Sequence, residues 1–306
     1  MKGWEMPSDI YKAVSSRIEA DWYPLHEYEW FTQDDICRQF VWKEPQSRQA
    51  VSKKLYHDSK EKTPPFLEKK SKAYRIIDKN LMVMDWQSAD INNIVPIKLP
   101  FSIHEHCIIY PKSIIVVAGD KNEGKTAFLY ETVKLNMGNF IIDLFNSETG
   151  REQMKKRFAP LDIPEPAPFN TYERYDNYAD VMHPDHLSII DYLDINSEFY
   201  LVGAEINTIF KKLTSGVAII GLQKPPPTVV YQKGVRKEYT RDLAYGGGPS
   251  AWRAVLYISM GGHKLKLLYV KTPAGLRVNP NNMTWTYEFS DTGFFTNIQR
   301  YWGEGG

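Results

Sequence analysis

Cysteine is nearly absent: 306 residues contain only Cys37 and Cys107, far apart and in no CxxC pair. That scarcity excludes a disulfide scaffold and a zinc ribbon, and it fits a reducing compartment. No apolar run reaches the roughly 18 to 20 residues of a membrane span. The opening MKGWEMPSDIYK lacks the basic head and apolar stretch of a secretory signal, so a cytoplasmic location with no membrane partner is expected. Internal repeats and low-complexity tracts are also missing. What is present is ordinary for a globular chain, 42% hydrophobic and 25% charged residues, which excludes wholesale disorder and a fibrous repeat. The length suits one large domain, or a medium domain carrying a small one.

The net charge of +1 conceals an uneven distribution. Residues 43 to 79 hold 11 Lys/Arg against 5 Asp/Glu, residues 143 to 205 hold 5 against 13, and residues 224 to 277 hold 10 against 2. Two basic blocks therefore flank an acidic one. Solvated faces of mixed sign would explain either basic block alone, whereas an anionic partner would explain both.

Apolar spacing predicts helices over 8 to 20, over 32 to 40 with Thr32 as N-cap, and over 46 to 58. Two short strand-like runs follow, FLEKK and SKAYRIID, divided by a polar turn. Helix, helix, helix, hairpin is the order of a winged helix, so residues 1–78 are expected to form a small α+β domain of that kind. In such a domain Arg48, Lys53 and Lys54 would face duplex DNA and Lys69, Lys70 and Lys72 would form a basic wing. A protein-docking role is the alternative for this module. A polar linker is expected over 79–100, ahead of a second domain over 101–306. There KSIIVVAG reads as a strand buried on both faces. Further buried strands are predicted at 139 to 146, 187 to 195, 216 to 223, 254 to 260 and 266 to 271, with helices around 150 to 159 and 199 to 213. The expected class is α/β with a parallel sheet.

Gly119, Asp120, Lys121, Asn122, Glu123, Gly124, Lys125 and Thr126 satisfy GxxxxGK[ST] between a predicted strand and the predicted helix TAFLYETVKLN, whose Ala127 is expected to join them in binding the nucleotide. The glycines let the backbone curl so that its N–H groups face phosphates, Lys125 neutralises β/γ charge, and Thr126 can hold Mg²⁺. ATP and Mg²⁺ are the expected ligands. LSIIDYLDI supplies Asp191 as the metal-site acid, with Asp194 as the alternative. Glu148, after the strand NFIIDLFN, is a candidate to activate water, or else an acid favouring the positive end of the following helix. Gln223 offers an amide able to sense a γ-phosphate, or is a loop-entry residue.

The segments VVAGDKNEGKTAFL, FNSETGREQMKKRF, LSIIDYLDI with the later FYLVG, and AIIGLQK resemble, in order and over about residues 95 to 275, the RecA-like ATPases. The likeness is to hexameric replicative helicases of the DnaB type and related phage-encoded ATPases. The resemblance implies Glu148 as catalytic base, Asp191 as the Walker B acid, and Gln223 as the residue coupling nucleotide to DNA-contacting loops. It also implies a homo-oligomer, most plainly a hexameric ring, in which a basic residue of one subunit reaches its neighbour's nucleotide. Lys271 occupies that stretch, but the usual nearby Arg is replaced by Thr272-Pro273 and the next arginine is Arg277. The segment 224 to 252 resembles the family's pore loops: Lys224, Lys233, Arg236, Lys237 and Arg241 interleave with Tyr231, Tyr239 and Tyr245, a pattern suited to a single-stranded backbone. The expected activity is a DNA-dependent ATPase, a phage-type helicase or helicase-like motor in the bacterial host's cytosol. The alternative is a non-motor, ATP-switched DNA-binding protein such as a replication initiator, helicase loader or recombination mediator.

Overall fold

The computed structural model describes residues 8–27, 29–81, 83–193, 201–232, 235–275 and 277–303, with the side chains of residues 8, 232 and 235–238 left aside. The chain divides into two compact units, Met1–Ala89 and Asp90–Gly306.

The first unit contains α1 (Ser8–Arg17), β1 (Phe31–Thr32), α2 (Gln33–Gln39), α3 (Pro45–Tyr56), β2 (Leu67–Lys70) and β3 (Ala73–Ile76). α2 starts where the sequence calls for it. The Thr32 hydroxyl accepts from the Asp35 backbone N–H and the Asp35 carboxylate accepts from the Thr32 N–H, a reciprocal cap that satisfies two orphan donors. That bonding holds the Asp35 carboxyl below its ordinary range. β2 and β3 form the expected hairpin, and β1 adds to β3 to give a three-stranded antiparallel sheet in the order β1-β3-β2. Ile18, Trp22, Phe31, Ile36, Val51, Leu55, Leu67 and Tyr74 share its core.

The second unit is built on a nine-stranded sheet. β4 (Ser113–Gly119) leads to α4 (Lys125–Asn136), β5 (Ile142–Asn146), α5 (Arg151–Phe158), β6 (Asn170–Glu173), α6 (Tyr178–Val181), β7 (Leu187–Asp191), α7 (Val202–Lys212) and β8 (Val217–Gln223). After a ribbon of β9 (Thr228–Gln232) and β10 (Val235–Tyr239) come β11 (Ala254–Gly261), β12 (Lys264–Val270), β13 (Thr284–Phe289) and β14 (Phe295–Tyr301). The spatial order is β14-β13-β12-β11-β4-β8-β7-β5-β6. β11 through β6 in that order run parallel, and β12 to β14 extend the sheet antiparallel.

β4 is buried along its whole length because layers cover both faces of the sheet. Ile115 and Val117 pack with Phe128, Leu129 and Val133 of α4, while Ile114 and Val116 pack with Val202, Ile206 and Ile209 of α7. Each such side chain contributes about 1.5–3 kcal/mol of burial, which is why the run is apolar without alternation. Three strand ends come together at one edge: β4 at Gly119, β8 at Gln223 and β7 at Asp191.

Several elements differ from the sequence expectation. The strand expected over 139–146 begins only at Ile142, since the Asn139 and Phe140 N–H groups turn back onto the Asn136 carbonyl. Residues 95 to 99, expected in a linker, join the second unit: Ile97 and Leu99 are buried there, and Asn136 bonds both the N–H and the carbonyl of Lys98. The segment 278–306, unassigned from sequence, supplies β13 and β14, and much of the expected 224–252 loop is the β9–β10 ribbon.

Candidate functional site

The loop Asp120–Gly124 leaves β4 and enters α4 through Gly124 at φ +87°, a left-handed turn that favours glycine. A side chain there would also meet the rings of Phe295 and Phe289 at 2.8 and 2.9 Å. At Gly119 a Cβ would lie 2.6 Å from Lys125 Cγ, so the bare backbone is what lets Lys125 fold back over the loop. Lys125 Nζ donates to the Gly119 carbonyl (3.0 Å), the Asp120 carbonyl (3.0 Å) and Gln223 Oε1 (2.8 Å). Burial holds its ammonium below the ordinary lysine pKa: a cation kept partly dehydrated, stabilised by an anion placed beside it.

Thr126 stands between the two acids. Its Oγ1 donates to Glu148 Oε2 at 3.2 Å and to Asp191 Oδ1 at 3.3 Å. Asp191 is fully buried at the end of β7, and its Oδ2 has no hydrogen-bond partner among the described residues. Burial, and then the neighbouring Glu148 charge, push its carboxyl up to about 7. An orphaned buried carboxylate oxygen beside a hydroxyl and a second carboxylate is a hard-oxygen donor set with excess negative charge, which fits Mg²⁺. Thr126 and Asp191 are therefore the residues that would hold it. Glu148 follows β5 in the turn before α5 and remains partly exposed.

Lys125, Thr126, Glu148 and Gln223, with Asp191 buried behind Thr126, line a cleft of about 360 Å³ together with Lys121, Asn122, Tyr130 and Arg157. Its outer wall is one that sequence reasoning missed, the β13–β14 hairpin with Phe289, Thr292, Gly293 and Phe294. The same part of the sheet grips the tip of the loop. Tyr287 Oη donates to the Glu123 carbonyl (2.7 Å), and Glu123 Oε2 accepts from the His263 N–H (2.9 Å). The alternation of Trp285, Tyr287 and Phe289 is the period-two signal that marks this strand. Arg157 was also missed. It lies on α5, its Nη1 is 3.9 Å from Glu148 Oε2, and that nitrogen is buried without a hydrogen-bond partner among the described residues.

Lys224, expected to contact DNA, is buried instead. Its Nζ reaches Asp120 Oδ2 and the Met260 carbonyl, both at 3.3 Å, and its N–H donates to the Gly119 carbonyl. It thus ties the end of β8 to the 119–124 loop. Gly261 leaves the room, because a Cβ there would run into Asp120 and Lys224. Beyond it, the Tyr245 N–H returns to the Gln223 carbonyl at 3.0 Å, so the long basic segment leaves and re-enters the sheet at Gln223. Tyr231, Tyr239 and Arg241 are exposed on it. Lys233 lies outside the described residues, as do the side chains of Arg236 and Lys237, and Asp194 likewise.

Lys271 does not join this cleft. It is exposed just past β12, and its N–H bonds the Val255 carbonyl at the start of β11. That is the opposite end of the sheet from Gly119, about 20 Å away at the usual rise per strand residue.

In the first unit Lys54 departs from expectation. It lies on the buried stripe of α3 with Ala50, Val51 and Leu55, and its ammonium pairs with Glu19 and, at 3.0 Å, with Asp58. Tyr23 Oη also bonds Asp58, at 2.8 Å. Lys54 is therefore unavailable to a phosphate. Lys53 is exposed over the Tyr11 ring, and Arg48 pairs with Asp34. No helix among the described residues is long and apolar enough to cross a membrane.

No protein-family model matches the chain, and no curated protein matches it in sequence. Among the many solved structures similar to it are the following three. One, an isolated ATPase domain, is 15% identical with TM-score 0.40, covering 62% of this chain and 86% of that one. A DnaB-like replicative helicase, solved with its interactions with primase, is 12% identical with TM-score 0.47, covering 95% and 75%. The RadB recombinase is 12% identical with TM-score 0.40, covering 60% and 90%. Likenesses this weak carry no argument about what this chain does, and the functional reading rests on its own geometry.

Proposed function

We propose that this chain is a RecA-like P-loop ATPase acting on DNA, with helicase or helicase-like motor activity on single strands. The observation that carries the reading is the convergence of Lys125, Thr126, Glu148 and Gln223 in one cleft at the edge of a mostly parallel sheet, with Asp191 buried directly behind Thr126. Residues 119 to 127 bind the triphosphate through the loop N–H groups, the start of α4 and Lys125. Mg²⁺, held by Thr126 and Asp191, would neutralise phosphate charge. Glu148 takes the proton of an attacking water as the new P–O bond forms and the bond to the β-phosphate oxygen breaks, giving ADP and phosphate. The aromatic wall of Phe289 and Phe294 gives the base an apolar face.

Lys125 holds Gln223 until a phosphate draws the ammonium away, and Gln223 stands at both roots of the 224–245 segment. Release of that amide is how we read the coupling to DNA. The exposed Tyr231, Tyr239 and Arg241 suit stacking and backbone contact, and we assign Lys233, Arg236 and Lys237 to the same surface. Lys271, at the far end of the sheet from its own cleft, suits action on a neighbouring copy, which supports a ring, a hexamer by preference. The first unit's order of elements supports a winged helix that binds duplex DNA through Arg48, Lys53 and the wing lysines, in a cytoplasmic protein.

The test is ATP hydrolysis with and without single-stranded DNA, for wild type and Lys125→Ala. The reading expects DNA-stimulated hydrolysis that K125A abolishes. Full hydrolysis by K125A overturns it, and hydrolysis without strand displacement would favour a switch over a motor.

A further inference from the structure

Glu148 is poorly held for a group that must orient water. Its Oε2 accepts from Thr126 Oγ1, the hydroxyl that would serve Mg²⁺. Asp191, the acid facing it, repels it when ionised, and Lys125 is committed to carbonyls, Gln223 and the incoming phosphate. One further cation faces the same oxygen, Arg157, at 3.9 Å.

That distance is too long for a hydrogen bond and short enough for a direct charge interaction, which the partial exposure of both side chains keeps modest until nucleotide fills the cleft. Two features separate Arg157 from the other basic residues of α5. Lys155 is 84% exposed and points to solvent, whereas the Arg157 side chain is 34% exposed and lines the cleft. The next residue, Phe158, stacks on Tyr130 of α4 at 4.2 Å with ring planes 3° apart. That stack locks α5 to the helix carrying Lys125 and Thr126, so the guanidinium is registered against the phosphate loop by packing. Its Nη1 is buried and unpartnered among the described residues, a donor left without the hydrogen bond that burial calls for.

We propose that Arg157 is a cis-acting positioning residue for Glu148: its unpartnered Nη1–H holds the carboxylate toward the attacking water, a hold that Thr126 would not supply if its hydroxyl served Mg²⁺. The inference rests on the ATPase reading above and deepens it. The chain then supplies its own orienting cation, separately from any residue of a neighbouring copy.

The experiment is a double-mutant cycle on the full chain, E148Q, R157Q and E148Q/R157Q, with R157K as the conservative variant. It measures kcat, KM and the Kd of a fluorescent ATP analogue. R157Q is expected to lower kcat about 10- to 100-fold, less than the roughly 10²- to 10⁴-fold contribution of a general base itself because Arg157 only positions it, with Kd changed less than about threefold, and R157K is expected to recover part of the loss. E148Q/R157Q is expected to match E148Q, because a residue that acts through Glu148 has nothing left to position. Three results overturn the inference alone: R157Q within twofold of wild type, a loss confined to nucleotide affinity, or a double variant lower than E148Q by the full R157Q factor. Should R157Q fail to fold, R157K in the same cycle decides it. A wild-type chain that folds but hydrolyses no ATP overturns the ATPase reading, and this inference with it.

Discussion

Lys125 Nζ donates to Gln223 Oε1 at 2.8 Å, joining the phosphate loop to the strand end from which the long basic segment departs. The two side chains compete for one geometry: an ammonium that turns to a γ-phosphate must release the amide. Gln223→Ala is therefore expected to keep nucleotide affinity within about threefold while losing the stimulation of hydrolysis by single-stranded DNA. ATPase rates at saturating nucleotide, with and without DNA, check this. Intact stimulation would detach Gln223 from the coupling.

Lys54 makes a prediction of the opposite kind, about stability rather than binding. Lys54→Ala leaves Asp58 buried without its ammonium partner, and breaking a buried pair in this way costs about 3–5 kcal/mol. Lys53→Ala, on the exposed face, is expected to cost less than about 0.5 kcal/mol. Denaturant unfolding of the full chain separates them. Equal, small losses would mean that Asp58 is solvated.

The pH dependence of the metal-free protein follows from two buried acids. Asp191 and Glu131 are both pushed up to about 7 by burial. An acid whose folded pKa lies above its unfolded value binds more protons when folded, so stability falls as pH rises from about 4 towards 7. Asp35 and Asp58 are shifted down; their contribution is lost only as pH falls below the unfolded range, outside this window, while His106, held down by burial, works against the trend inside it but is one group against the two acids. Melting scans in chelator should show a lower Tm at pH 8 than at pH 5.5, and Asp191→Asn should reduce the difference. Mg²⁺ with nucleotide should stabilise more at pH 8, where Asp191 is charged. A Tm that rises with pH in chelator would contradict this.

Gly124→Ala places a side chain in the left-handed region, costing about 1–2 kcal/mol, and drives its Cβ into Phe289 and Phe295. The expected outcome is a lower Tm together with at least a tenfold weaker nucleotide affinity. Gly138→Ala, with open space around its Cβ, is the control. Unchanged affinity in G124A would show that the loop tolerates a different turn.

The phosphate loop, Asp191 and the central strands were legible because each joins a local pattern to a local geometry: a Gly-rich turn between a buried apolar run and a helix, or an apolar run ending in an acid. The reciprocal cap at Thr32 was legible for the same reason. Lys54 and Lys224 were misplaced because charge alone suggests solvent, yet both are buried by partners distant in sequence, Glu19 for one and Asp120 for the other. Helical spacing already puts residue 54 on the face of 50, 51 and 55, a signal outweighed by the lysine's charge. Phe289, Phe294 and Arg157 reach the cleft only through tertiary packing, although alternation in 285–289 marks the strand.

The central claim is that a triphosphate is held at Lys125 and Thr126, with its loss felt at Gln223. A crystal structure with Mg²⁺ and a non-hydrolysable ATP analogue tests it most directly. The account predicts the terminal phosphate against Lys125 Nζ, the metal on Thr126 and Asp191, and the Lys125–Gln223 contact broken. Nucleotide bound with that contact still at 2.8 Å, or a crystal whose cleft takes up no nucleotide, would contradict it.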